Sequence, residues 1–438
     1  LTCKPDGGRI SEARFRASQF FGCLHRPCPA GSGEKRKENT PVDFTLIVVL
    51  VIALALIFDF TNGFHDTANA MATPIATGAM KPKVAVTVAA VLNLVGAFLS
   101  TEVAKTVSGG IIKEGDGGIQ ITPEMIFAGL IGAIVWNLIT WLRGLPSSSS
   151  HALFGGLIGA TIIGVGAQAV AYDVVLAKVI LPALIAPITV GIVAFIATRL
   201  AYAITRRDVG KPDGRGGFRY GQIFSSSLVA LSHGTNDAQK TMGVITLTLI
   251  AGGYQSVGTG PQFWVVACCA LAIAIGTYTG GWRIILTMGR GLTEIKPAQG
   301  FAAETSTAAT ILASSHLGFA LSTTQVASGS VIGSGLGRRG STVRWGMAGQ
   351  IALGWLLTLP ASAIMGAFAA GLALLGPIGI VLDVVIGTAV VYILFRWSKR
   401  DRVTHDNMLH DIDDAGHVVR IKKTPRKPSR KDRQKAAL

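Results

Sequence analysis

The sequence predicts an all-α polytopic membrane protein made of two inverted-topology repeats, with about 10–12 transmembrane or re-entrant helices and broken helices at its centre. Three observations predict it. Half of the 438 residues are hydrophobic and only 15% are charged, with a mean hydropathy of +0.49, a composition far from that of a water-soluble domain. Apolar segments long enough to cross a bilayer recur along the chain. Two polar motifs inside those segments occur twice. Gly63-Phe64-His65-Asp66-Thr67-Ala68-Asn69 has a counterpart in Gly234-Thr235-Asn236-Asp237-Ala238-Gln239-Lys240, and Pro146-Ser147-Ser148-Ser149-Ser150-His151 has one in Ala320-Leu321-Ser322-Thr323-Thr324-Gln325. Asp66 and Asp237 are 171 residues apart and Ser149 and Thr323 are 174 apart, so one duplication explains both pairs.

Residues 1–41 are polar, lack periodicity and begin with Leu, so they are expected to be disordered or foreign to the working protein. Within them Cys23, His25 and Cys28 form half a metal site at most, and no structural metal is expected. The first transmembrane repeat, 42–198, holds apolar segments at 42–58, 84–101, 125–143, 147–168 and 174–198. A basic loop at 199–220 leads to the second repeat, 221–372, with segments at 221–251, 262–281, 301–320, 321–337 and 343–372. An additional transmembrane helix occupies 373–396, and a basic tail covers 397–438. The short segments at 147–168 and 321–337 are expected to enter the membrane and return. Both motif-bearing stretches exceed one span, and their Gly, Asn and Asp residues predict helix, break, helix. Irregular backbone at membrane depth is tolerated only where it is buried or lines a cavity.

The net charge of +16 is carried by +4 in 1–41, +4 in 199–219 and +7 in 396–438, leaving +1 for the rest. Charge confined to tails and one loop points to membrane topology and away from nucleic acid. With the N-terminus outside and one crossing per segment, 102–124 becomes an outside loop and 282–300 an inside one. Every loop then obeys the positive-inside rule, the tail is cytoplasmic, and five crossings per half turn the second half upside down. Small residues spaced four apart, Gly155-Gly159 and Gly329-Gly333-Gly337, predict close helix packing.

Ionisable groups within spans are costly and mark functional sites by default. Asp66 and Asp237 are the duplicated carboxylates, with Thr67, Asn69 and Asn236 beside them. Ser148, Ser149 and Ser150 in one half, and Ser322, Thr323 and Thr324 in the other, supply hydroxyls at helix starts, where unpaired N–H groups and the helix dipole favour an anion. Hydroxyls and amides match a tetrahedral oxyanion, which the two carboxylates would repel unless a cation joined them. That requirement is a physical basis for symport. His65, His151, His233 and Lys240 are accessory candidates. His65, His151 and His233 suit helix-break hydrogen bonding or a proton relay better than a metal cluster, and Lys240 can pair with Asp237 or with the anion. Asn93, Asn137, Gln350 and Glu304 read as interhelical glue. A Ser150–His151 nucleophile would make an intramembrane hydrolase; adjacent helical residues do not face each other and no orienting third group is evident, so no catalytic residue is assigned.

The motif from Gly63 to Ala70, the motif from Ser232 to Lys240, Pro146 through His151, and Leu321-Ser322-Thr323-Thr324 are similar to the paired signatures of the inorganic phosphate transporter family, of the low-affinity bacterial type. The resemblance covers roughly residues 42–396 and implies an all-helical carrier of the plasma membrane with inverted repeats. It implies import of inorganic phosphate by symport with a cation, in bacteria commonly a proton and in other members sodium, with phosphate often travelling as a divalent-metal complex. No permanently bound cofactor is implied. By the same resemblance Asp66, Asn69, Asn236 and Asp237 fall where the family binds phosphate or cation, and the Ser/Thr clusters complete the phosphate shell. Gln325 departs from the family pattern, in which many members carry His, and neither tail resembles the family. The partners expected are phosphate and the lipid bilayer, with a homodimer left open. The alternatives are a carrier of another tetrahedral oxyanion such as sulfate and, in a different class, the Ser–His hydrolase.

Overall fold

The computed structural model describes residues 41–110, 121–205 and 217–399. The expectations for the extension 1–40, for the middle of the basic loop and for the tail from residue 400 lie outside the described residues. Among the described residues the protein is all-helical, with only an isolated bridge between Thr293 and Val343.

The first half contains α1 (Pro41–Ala76), α2 (Pro82–Gly96), α3 (Glu102–Gly110), α4 (Pro123–Leu142) and α5 (Ser149–Gly164). A short α6 (Tyr172–Val175) passes through a π-helical turn, Leu176–Ile180, into α7 (Leu181–Thr205). The second half contains α8 (Gly217–Ala251), α9 (Phe263–Thr279) and α10 (Trp282–Leu286), the last extended by a π-helical turn, Thr287–Gly291. It continues with α11 (Pro297–His316), α12 (Thr323–Gly337) and α13 (Trp345–Ala373), and α14 (Pro377–Ser398) follows. Helices α2, α4, α11 and α14, like α1, open on a proline in the first turn, where its missing N–H is no loss. By contrast α5 and α12 open on serine caps: Ser148 accepts from the His151 N–H and Ser322 from the Gln325 N–H.

The expected break inside each motif is not there. Instead α1 and α8 run unbroken for 36 and 35 residues, straight through the motifs. The motif glycines serve close approach rather than a break: a Cβ on Gly63 would fall 2.3 Å from Ile273 O, and one on Gly234 would fall 2.2 Å from Asn93 O. The motif Asp and Asn side chains bond to other helices, so they do not compete with their own backbone. The non-helical backbone lies before α5 and α12, at 145–148 and 319–322, and α9 meets the helix after it with a bend of 62°. Two expected loops also carry helix. The stretch 102–124 holds α3, and 282–300 holds α10, its π turn and the start of α11.

Among the described residues, five helices are long and apolar enough to cross a membrane: Leu46–Ala76, Pro123–Leu142, Tyr172–Ile204, Trp345–Ala373 and Pro377–Ser398. The bent pair Phe263–Thr279 and Trp282–Gly289 makes a sixth if it is one span. Elsewhere the shortfall has a physical cause. The long helices α8 and α11 carry buried polar side chains, while α2, α5 and α12 have only 15, 16 and 15 residues. On α7, α13 and α14, Leu184, Ile188, Leu356, Ile364 and Ile378 are exposed and form an apolar periphery suited to lipid.

Helix pairings repeat between the halves. While α1 packs on α4 and α9, α8 packs on α11 and α2; α5 packs on α4 and α13 while α12 packs on α11 and α7. The equivalent helices α1 and α8 run antiparallel, pairing Asp59 in the middle of α1 with Thr241 and Thr77, just past the end of α1, with Gln222. Backbone contacts also repeat at the duplication spacing. A Cβ on Gly159 would fall 2.0 Å from Ala363 O, and one on Gly333 would fall 2.0 Å from Gly191 O. Apolar association in lipid relies on such close packing. Gly159→Ala is therefore expected to lower the thermal unfolding midpoint in detergent, at a cost of about 1–3 kcal/mol from overpacking. Gly371→Ala, where an added Cβ meets nothing within 4 Å, should leave the midpoint unchanged or raise it.

Candidate functional site

The two motifs meet. Asp66 on α1 and Asp237 on α8 are both fully buried, at 1% and 0% exposure. Each carboxylate accepts from a hydroxyl in the first turn of the serine-capped helix of its own half. Ser149 Oγ donates to Asp66 Oδ2 at 2.8 Å, and Thr323 Oγ1 donates to Asp237 Oδ2 at 2.8 Å. Two cross-links tie the halves together. Asn69 Nδ2 donates to Thr324 Oγ1 at 3.1 Å and Thr323 Oγ1 at 3.3 Å. At the equivalent place in the other half, Lys240 Nζ donates to Ser150 Oγ at 2.6 Å and to Leu321 O at 2.8 Å. Thr324 Oγ1 also donates to Asp66 Oδ1 at 3.2 Å.

Histidines complete the charge pattern. His65 Nδ1 stands 2.6 Å from Asp66 Oδ1. His233 reaches between the carboxylates, with Nε2 2.9 Å from Asp237 Oδ2 and 3.9 Å from Asp66 Oδ2, in charge-pair range but out of line for a hydrogen bond. Its Nδ1 faces Asn93 Oδ1 at 3.2 Å, and Asn93 Nδ2 donates to Thr277 Oγ1 at 2.7 Å. Lys240 pairs with Asp237 Oδ1, the first of the two roles open to it from sequence. In the dry interior such a pair holds only because the lysine is also bonded to a hydroxyl and a carbonyl.

The donor set can hold a cation. One ligand atom each from Asp66, His233 and Asp237 lies within 4.8 Å of the other two, with all three residues buried. Carboxylate and imidazole suit a proton equally, or a divalent ion with mixed N/O ligands. Neutral groups stand ready around them: Asn69 Oδ1 and Asn236 Oδ1 are buried without a hydrogen-bond partner, and Asn236 Nδ2 donates to Ser315 Oγ at 2.9 Å.

Not every expected residue converges here. Thr67 uses its hydroxyl on Gly63 O at 2.7 Å and Thr277 O at 3.3 Å, on the α9 side. Ser148 and Ser322 serve as caps, accepting from backbone N–H groups at 3.2 and 3.4 Å. The Ser150 hydroxyl is held by Lys240 and the His151 Nδ1 has no hydrogen-bond partner, so no Ser–His couple forms. Glu304 has the expected linking role, bonding Thr73, Gln222 and Ser225. Asn93 has that linking role too, joining α2 to His233 on α8 and Thr277 on α9, whereas sequence reasoning missed Ser315 and the buried Asp59. Asp59 had a legible signal: it is an acid in an apolar run, seven residues before Asp66 and hence on the same helix face.

Comparison with known proteins bears on what this geometry is for. A family model described as "Phosphate transporter family" matches residues 62–366. The "Probable low-affinity inorganic phosphate transporter" of Mycobacterium bovis is 54% identical over 373 residues, covering 84% of this chain and 87% of that protein. The Bacillus subtilis protein of the same description is 40% identical over 327 residues, covering 74% of this chain and 96% of that one. A solved structure titled "The sodium-dependent phosphate transporter" aligns with a TM-score of 0.66 at 24% identity, covering 76% of this chain and all of that one, a likeness of fold.

Replacing Lys240 by Met should destabilise the folded protein by about 3–5 kcal/mol, because Asp237 is left buried without its cation. Asp237→Asn in the Lys240→Met background should recover part of that loss, as read from paired thermal melts in detergent.

Proposed function

The chain belongs to the phosphate transporter family, a family of carriers and not of enzymes, and from that premise we propose that it is a multi-pass carrier of the cell membrane that imports inorganic phosphate in symport with a cation. The observation that carries the reading is the matched pair of carboxylates, each bonded by a hydroxyl at the start of its own half's capped helix and enclosed by amides of both halves. The antiparallel course of α1 and α8 supports two inverted halves that share one central site. Asp66, Asn69, Ser149, Ser150, Asn236, Asp237, Thr323 and Thr324 bind phosphate and cation in this reading, with Lys240 as the fixed positive charge and His65 and His233 standing beside the carboxylates.

The coupling follows from charge. Two fixed carboxylates face one lysine, so an anion entering the site is repelled unless further positive charge arrives with it. A histidine within charge-pair range of each carboxylate favours the proton as that charge. The Asp66, His233 and Asp237 atoms also favour a second form of the cargo, a divalent ion carried in with phosphate. Discrimination against sulfate has the same origin. Phosphate near neutral pH keeps an O–H that can donate to a carboxylate, whereas sulfate has none and would leave buried acceptors facing its oxygens. The basic composition of the central loop and the tail favours a cytoplasmic C-terminus in this reading.

Labelled-phosphate uptake in proteoliposomes, with pH, sodium and divalent metal varied separately, tests the proposal. The protein should take up phosphate faster with an inward proton gradient, and excess sulfate should not compete. Asp66→Asn and Asp237→Asn should each reduce uptake to the level of empty vesicles while reconstituting normally. Retained uptake by both variants overturns the site.

A further inference from the structure

The polar residues of α1 form a single stripe. Asp59, Asn62, Asp66, Asn69 and Thr73 recur at spacings of three and four, which keeps them on one helix face. Antiparallel to it, α8 answers from end to end. Thr241 Oγ1 donates to Asp59 Oδ1 at 3.0 Å, His233 stands beside Asp66 in the middle, and Ser225 and Gln222 join the cluster that contains Thr73. The stripe from Asp59 to Thr73 is about 21 Å long at 1.5 Å per residue, with Asp66 halfway.

Each end of the stripe holds a carboxylate that the central site does not use. Asp59 is 0% exposed; Oδ1 takes the Thr241 hydroxyl and Oδ2 has no hydrogen-bond partner. The titratable groups facing it are Asp237, His233 and Lys240 on α8 and Cys269 on α9. At the other end Glu304 on α11 is 2% exposed. Its Oε1 accepts from Thr73 Oγ1 at 2.5 Å and Gln222 Nε2 at 3.0 Å, and its Oε2 accepts from Ser225 Oγ at 2.5 Å. These donors are all neutral. Of the charged groups on nearby elements, Arg219 bonds Ala79 O, Arg338 bonds Gln299, and Lys105 pairs with Glu102, so none of them bonds Glu304. A buried carboxylate without a cation is costly unless a proton removes its charge, and intramembrane acids in a chain are the usual parts of proton relays.

We propose that Asp59 and Glu304 are the two stations of the coupling proton, one on each side of the central site. A proton bound at Asp59 Oδ2 moves to the Asp66, His233 and Asp237 group as phosphate occupies it. It then leaves through Glu304, which binds it and releases it on the other face. One proton is transferred overall, and only O–H and N–H bonds are made and broken. The inference rests on the proton-coupled reading above.

The test uses the full chain in proteoliposomes and compares two measurements: exchange of labelled for unlabelled phosphate at equal pH, and net uptake driven by a pH gradient. A residue that only carries the proton is needed for the second and not for the first. Asp59→Asn and Glu304→Gln should each lower net uptake by at least about tenfold while exchange stays within about twofold of the parent protein. Unchanged net uptake with an unchanged pH profile overturns the proposal. So does loss of exchange together with net uptake in a monodisperse variant, which would make the residue part of phosphate binding or of the scaffold. If either variant aggregates, Asp59→Glu and Glu304→Asp are read instead, and a shifted pH profile with intact exchange is expected. An unshifted profile overturns the proposal. A parent protein that exchanges phosphate but ignores the pH gradient sinks this inference alone, whereas one that exchanges no phosphate sinks the transport reading itself.

Discussion

Negative charge placed where water cannot reach it is the constraint on which this structure depends. Asp66 and Asp237 are buried to 1% and 0% exposure, and the helices around them are arranged to answer that charge. Serine caps replace the proline starts found on neighbouring helices, because α5 and α12 must bring a hydroxyl in the first turn to a carboxylate. The fixed lysine is itself held by Ser150 and by a carbonyl beyond α11. Close packing of α9 and α2 on the motif glycines then keeps the polar centre sealed from the apolar periphery.

Much of this was legible in the chain. The duplication located both carboxylates and both hydroxyl clusters, and the small-residue spacings at Gly155-Gly159 and Gly329-Gly333 became points of backbone contact. The composition announced an all-helical membrane protein, as the helices and the family match bear out. Local helix continuity was illegible. Gly63, Asn69, Gly234 and Asn236 are poor helix formers in isolation, and a one-dimensional reading cannot tell a glycine that breaks a helix from one that admits a neighbouring backbone. The contacts of Thr67 were illegible for a related reason: its place in the motif does not reveal that its side chain turns toward α9.

The elements missed altogether, α3 and α10, have nine and five residues, too few to register as spans; they are held by packing against α8 and α1. Asp59 went unremarked because it has no duplicate, since the equivalent position 171 residues on is Ala230. Repetition is a strong guide to what both halves share and is blind to what only one of them has.

That blindness matters most at Asn69 and Lys240. The two residues occupy equivalent positions and make equivalent reaches into the opposite half, yet one is a neutral amide and the other a cation. A carrier assembled from identical halves related by a two-fold axis in the membrane plane would have degenerate inward-open and outward-open forms, neither favoured at rest. Exchanging an amide for an ammonium on one side breaks that equivalence, and the unduplicated Asp59 breaks it again, so charge is shared unevenly between the two halves at the centre.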